Sequence, residues 1–180
     1  MLRNSKDLRG CAIGATDGMS GEVRDLYFDD EAWVIRYLVD STGAWLVNRK
    51  VPVAPFARDD PHLRSCNAVL KYHIHASDGY IGHVEGLLVD DETWAIRYLI
   101  VDTSNWWLGH QVLVAPQWIQ DVNWFSSNAS VDLSRKTLKE APGYVAASSL
   151  DRQQEIELLE YYSRDSASLL PRQSRQMPSP

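Results

Sequence analysis

The chain has no apolar run approaching the roughly 20 residues that a membrane-crossing helix needs. Its opening residues, Met1 to Asp7, lack the apolar core of a secretory signal, so the expected compartment is the cytoplasm. Cysteine is scarce. Cys11 and Cys66 form no Cys-x-x-Cys pair, which favours two buried free thiols in a reducing compartment over a disulfide. Positive charge is also in deficit: the formal net charge is −6, and Arg164, Arg172 and Arg175 all lie near the C-terminus, leaving the preceding chain more acidic still. A nucleic-acid partner is not expected, because a phosphate backbone calls for a basic face. Signatures of chemistry are missing too. There is no Gly-x-Ser-x-Gly elbow, phosphate-binding loop, His-Glu-x-x-His helix or dinucleotide-binding glycine pattern. The expectation is a non-enzymatic protein with no cofactor.

Aromatic residues are plentiful, with seven tryptophans and eight tyrosines, mostly in or beside β-like runs. Two of these runs are near-copies. Asp29-Asp30-Glu31-Ala32-Trp33-Val34-Ile35-Arg36-Tyr37-Leu38 recurs 61 positions later as Asp90-Asp91-Glu92-Thr93-Trp94-Ala95-Ile96-Arg97-Tyr98-Leu99. The same offset aligns Leu2-Arg3 with Leu63-Arg64, Asp17-Gly18 with Asp78-Gly79, and Val53-Ala54-Pro55 with Val114-Ala115-Pro116. Roughly half of positions 13–55 are identical without a gap, which marks an internal duplication.

Each copy has the pattern of a β-meander. Cys11 to Ala15 predicts a first strand, Glu22 to Phe28 a second and Trp33 to Val39 a third, with Gly- and Asp-rich turns between them. Val51-Pro52-Val53 predicts an edge or strand-end segment. Turn signals this closely spaced argue for mainly β architecture, as small barrels or sandwiches. After Pro116 the copies diverge. The second continues through strands at 118–124 and 129–133 into a short helix over 135–141, capped by Ser134 and stopped by Pro142-Gly143. A further helix is expected from Asp151 to Tyr162, with Ile156, Leu159 and Tyr162 on its apolar face. The expected organisation is a truncated repeat 1 at 2–57, a linker at 58–62, repeat 2 at 63–145, a helical segment at 146–163 and a disordered tail at 164–180.

Candidate functional residues are few. The acidic runs could ligate a hard cation, but aspartates at these positions more often begin tight turns by accepting backbone N–H bonds. His73 and His75 share a strand face and His83 lies across the predicted hairpin, making these three the weak candidates for a metal site. Arg36 and Arg97 are expected to pair with the acidic turns or to lay their stems over apolar surface. Trp33, Trp94, Trp45, Trp106, Tyr37 and Tyr98 are expected to build the cores and the face between repeats. Trp107, present only in repeat 2, is the expected exposed interaction anchor, with Trp106 and Trp45 beside it.

The order Ile-x-Ala-[Thr/Ser]-Asp-Gly-x-x-Gly-x-Val, then Asp-Asp-Glu-x-Trp-x-Ile-Arg-Tyr-Leu, then Val-x-Val-Ala-Pro, standing at 13–55 and again at 74–116, resembles the PRC-barrel family. Ser134 to Pro142 and Arg152 to Tyr162 match the helix and Tyr-Tyr segment of its tandem bacterial members. The resemblance implies small β-barrels that dock onto other macromolecules and carry no catalytic residues. Family relatives serve the photosynthetic reaction centre and ribosome maturation, so a role accessory to a photosynthetic or electron-transport complex is one implied alternative. A metal- or small-ligand-binding regulatory module is another. Repeat 1 lacks the closing strands, so it is expected to be completed by repeat 2 or by a second chain, giving a homodimer or a pseudo-symmetric pairing of repeats. An unidentified protein partner is also expected.

Overall fold

A computed structural model describes residues 1–15, 18–42, 60–103, 110–145, 150 and 152–168. The chain is mainly β, and among the described residues it has two sheets, four α-helices and one 3-10 turn. β1 (Leu2–Asn4) and α1 (Ser5–Leu8) precede a hairpin of β2 (Ala12–Ala15) and β3 (Gly18–Asp29), and β4 (Val34–Thr42) follows. The series repeats as β5 (Leu63–Ser65), α2 (Cys66–Val69), β6 (His73–Ala76), β7 (Gly79–Asp90) and β8 (Ile96–Asp102). Repeat 2 continues with β9 (Gln111–Val114), a 3-10 turn at Pro116–Trp118, β10 (Ile119–Asn123), β11 (Asn128–Val131), α3 (Arg135–Glu140) and α4 (Arg152–Ser168).

The repeats exchange their first strands. β1 pairs with β7 of repeat 2, Leu2 opposite Asp90, while β5 pairs with β3 of repeat 1, Leu63 opposite Asp29. Each residue of the β5–β3 pairing lies 61 positions from its counterpart in the β1–β7 pairing. The relation extends to the flanking contacts: Arg3 Nε donates to Asp91 at 2.9 Å and Arg64 Nε to Asp30 at 2.7 Å. Between the halves, Ile35 N–H donates to Trp94 O at 2.8 Å and Ile96 N–H to Trp33 O at 2.7 Å. Reciprocal bonds between equivalent residues define a pseudo-two-fold axis passing beside the Val34–Ala95 bridge. Pairing of the repeats within one chain, one of the two expected arrangements, is therefore what the fold contains.

Strand order in the larger sheet is β10-β11-β6-β7-β8-β9, with β1 on the free half of the β7 edge; the smaller is β2-β3-β4, with β5 on β3. Among the described residues no ladder joins β9 to β10, so barrel closure is not seen. One hydrophobic core runs through both repeats, from Leu26, Phe28 and Ile35 to Ile74, Leu87, Ile100, Leu113 and Leu138. Each such side chain, fully buried, is worth about 1.5–3 kcal/mol.

Several expectations need correction. Cys11 is exposed and only Cys66 is buried; both are free thiols. The repeat-2 equivalent of Cys11 is Tyr72, which packs on Trp124 in a stretch that repeat 1 lacks. On α4 the buried face holds Leu158 and Tyr162, while Ile156 is exposed. Glu155 lies on that face because Arg97 and Tyr98 hold its carboxylate, which turns the helix about its axis relative to the expected stripe. Residues 164–168, expected to be disordered, continue the helix.

Candidate interaction surface

The Asp-Asp-Glu-x-Trp segments form the seam between repeats. In each, the first aspartate accepts two backbone bonds: Asp29 Oδ1 from Glu31 N and Ala32 N, Asp90 Oδ1 from Glu92 N and Thr93 N. The turn is closed by Trp33 N–H donating to Asp29 O, and by Trp94 N–H donating to Asp90 O, both at 2.8 Å. Closure in this form puts each tryptophan in the left-handed region, with φ of 53° and 61°. A non-glycine residue there costs about 1–2 kcal/mol, which tertiary packing must offset. The acidic runs are thus turn-forming groups, and their backbone bonds hold the Asp29 and Asp90 carboxyls below the usual carboxylate range.

The left-handed turn is what sends each indole across the seam. Trp33 stacks on Phe28 at 5.3 Å and joins Val69, Tyr72, Ile74, Leu99 and Trp124 of repeat 2 around a small apolar gap. A residue of repeat 1 therefore stoppers the core of repeat 2. Its counterpart Trp94 remains 37% exposed.

Open clefts flank Trp33. One, of about 640 Å³, is lined by Glu31, Arg97, Tyr98, Gln117 and Leu159. The other, about 570 Å³, is lined by Asp30, His62, Arg64, Asp121 and Trp124. In the second, His62 Nδ1 and Arg64 Nε both meet the Asp30 carboxylate, at 3.0 and 2.7 Å, and the Arg64 guanidinium lies 4.5 Å over Trp124. The Asp30 contact raises the His62 pKa, with the Glu31 charge adding to it.

The two repeats differ most sharply on their third strands. In repeat 2, Tyr98 and Leu99 are 1% and 3% exposed. α4 covers the first, where Glu155 Oε1 accepts from Arg97 at 2.9 Å and from the Tyr98 hydroxyl at 3.2 Å. β9 flanks the second. Burial and the Glu155 charge push the Tyr98 phenol up. The identical residues of repeat 1, Tyr37 and Leu38, are 41% and 45% exposed. Tyr37, expected in a core or at the seam, is instead on the surface. Arg36 Nη2 lies 3.6 Å from Asp29, the expected pairing with its turn, whereas Arg97 turns to Glu155. No family model matches the chain, and no curated protein matches it.

His73 stands directly opposite His83 across the β6–β7 hairpin, as expected. His73 and His75 both contact Tyr80, with ring centroids at 5.6 and 5.5 Å, and both are exposed. His83 instead joins Glu85 and Asp102, with one potential ligand atom from each lying within 4.8 Å of the others. His83 and Glu85 alternate on β7, and Asp102 stands directly opposite His83 on β8. Among the described residues this is the one group of three with metal-ligand spacing. Lys6 Nζ already pairs with Glu85 Oε1, placing a cation beside it. Sequence reasoning found His83 but not its carboxylate partners, whose positions on two strands follow only from the register. The expected interaction residues Trp45, Trp106 and Trp107 lie outside the described residues.

Proposed function

We propose that the chain is a non-enzymatic interaction or scaffold module of the PRC-barrel kind, acting in the cytoplasm and associating with copies of itself and with a protein partner. The observation that supports this reading is the difference between two sequence-identical pairs. Tyr98-Leu99 is covered by elements of its own chain, and Tyr37-Leu38 is left open. Tyr37 and Leu38 alternate to opposite faces of β4, so each face presents an exposed apolar side chain of the kind protein interfaces use. No helix among the described residues is long and apolar enough to cross a membrane.

The test is a paired capture from native lysate using the wild type and a Tyr37→Ser/Leu38→Ser variant, quantified by mass spectrometry with a differently tagged copy of the chain present. Proteins held by the wild type and released by the variant, at an unchanged melting temperature, are the expected result. Identical capture by both chains would sink the reading.

A second reading, a divalent-metal-responsive module, is favoured by the His83–Glu85–Asp102 grouping. One imidazole and two carboxylates suit a borderline ion such as Zn²⁺ or Mn²⁺. Ion present at about 100 times its Kd would add about 2.7 kcal/mol to stability. A melt unmoved by Zn²⁺, Mn²⁺ or EDTA would dismiss it.

A further inference from the structure

We infer that His83, Glu85 and Asp102 form a divalent-cation site of the zinc or manganese class, in which the Lys6 ammonium is the resident counter-ion that an incoming ion displaces. The inference rests on the metal-responsive reading above and assigns that reading its ligands and its competitor. The register builds the group. His83 stands directly opposite Asp102 across the β7–β8 pair, and strand alternation puts His83 and Glu85 on one face. The register shifts between Val84 and Gly86, so Glu85 is the extra residue of a β-bulge, a device that re-aims a side chain. His83 Nε2 lies 3.9 Å from Glu85 Oε2, and one ligand atom from each of the three residues lies within 4.8 Å of the others. The backbone here has no slack, because a Cβ on Gly82 would lie 1.9 Å from the Asp102 carbonyl oxygen. Three protein ligands leave a coordination position for water or a small anion, and His73, on the other side of His83, engages the Tyr80 hydroxyl instead.

The group already attracts a cation. Lys6 Nζ donates to Glu85 Oε1, and both side chains are partly exposed. The backbone that carries Lys6 is fixed on repeat 2: the Asn4 side chain packs over Gly86, where a Cβ would meet its Oδ1 at 3.0 Å, and Ser5 Oγ accepts from Leu87 N at 3.4 Å. The ammonium itself ends a flexible four-carbon stem and swings into water without moving α1. Exchanging it for a divalent ion therefore costs a surface ion pair and gains direct coordination. The duplication supplies an internal control. At the positions 61 residues earlier, repeat 1 holds Glu22, Arg24 and Ser41, and the counterpart of Lys6 is Asn67. A guanidinium stands there in place of the Glu85 carboxylate. The shared backbone does not by itself make the group, and its ligands and counter-ion are particular to repeat 2.

Calorimetric titration of the full chain with ZnCl₂ and with MnCl₂ tests both parts, on a Cys11→Ser background so that the exposed thiol does not capture zinc. The intact site should bind a single ion. His83→Gln and Asp102→Asn should each weaken binding by about ten-fold or more, since even groups that only orient a ligand are worth about that much. Lys6→Gln should tighten it by about three-fold or more, because no ion pair then has to be broken. Circular dichroism of each variant checks the fold. If neither ion binds, both the site and the metal-responsive reading are overturned. Binding that survives His83→Gln and Asp102→Asn overturns this site and leaves the reading to other residues, the exposed His73 and His75 among them. Binding lost in those variants but unchanged or weakened by Lys6→Gln supports the ligands and overturns the displacement of Lys6.

Discussion

Trp33 provides the sharpest test of the shared core, because it is in an unfavourable backbone region and also fills the other repeat. Replacing a buried tryptophan by alanine costs about 3–5 kcal/mol. Trp33 is partly exposed beside the clefts, so Trp33→Ala should cost about 2–3 kcal/mol, just below the range for a fully buried tryptophan. The backbone contributes with opposite sign in Trp33→Gly. In ordinary strand or helix, glycine is about 0.5–1 kcal/mol worse than alanine. At φ of 53° the alanine Cβ still carries a left-handed penalty of about 1 kcal/mol, which glycine avoids. The two variants should therefore run in the reverse of the usual order, with Trp33→Gly at least as stable as Trp33→Ala. Urea unfolding followed by both tryptophan fluorescence and far-UV circular dichroism reads both values. Each variant should unfold in one transition with coincident probes, because the indole belongs to both repeats. Two separated transitions, or an alanine variant clearly more stable than the glycine one, would refute the argument.

Gly82→Ala should abolish the soluble fold or cost several kcal/mol. An added Cβ would lie 1.9 Å from the Asp102 carbonyl oxygen, and both groups are backbone that cannot swing away; soluble expression and melting temperature report it. Cys11 should react with a maleimide or disulfide reagent in the native protein while Cys66 stays silent until denaturant is added, since burial pushes the Cys66 thiol well up; two thiols titrating at once would contradict this. The His62 pKa is raised in the folded protein, so its contact with Asp30 stabilises below the unfolded value near 6.5. That contribution fades as pH rises through the higher folded value. The urea midpoint of the wild type should therefore fall relative to that of His62→Gln between about pH 6 and 8, and parallel pH profiles would count against the contact. Tyr162→Phe should lose the hydroxyl bond to Leu113 O, about 1 kcal/mol, and keep α4 seated. Tyr162→Ala should release α4 and expose Tyr98, which near-UV circular dichroism would register.

The duplication, the existence of the third strand and the turn role of Asp29 and Asp90 were legible because each depends on residues close in sequence, though that strand runs to Thr42 and not Val39. Asp29 and Asp90 cap backbone groups two and three positions on, which composition alone predicts. The strand exchange was not legible. Leu2-Arg3 and Leu63-Arg64 recur at the right offset, yet neither pattern says which repeat it joins. That choice is made by Asp91 and Asp30, which take the arginines about 88 and 34 positions away. The α4 face was misjudged for a related reason: Glu155 looks like a solvent residue until Arg97 and Tyr98 are seen to hold it. Tyr37-Leu38 was the least legible of all. Its letters are those of Tyr98-Leu99, and the α4 helix that covers Tyr98 follows the second copy far along the chain. The His83 grouping depends on register across β7 and β8, which periodicity does not supply.

The exchange explains how repeat 1 can lack closing strands and still belong to a well-packed core. A free-standing meander of three strands would leave both faces of Phe28 and Ile35 in water. Here β5 of repeat 2 lies along β3, so Phe28 is fully buried and Ile35 is 7% exposed. Among the described residues, the part of β4 from Arg36 to Leu38 lies beyond the reach of that exchange, and these three residues are exposed. A duplicated fold that shares its first strands in this way ties the burial of each copy's core to a strand of the other.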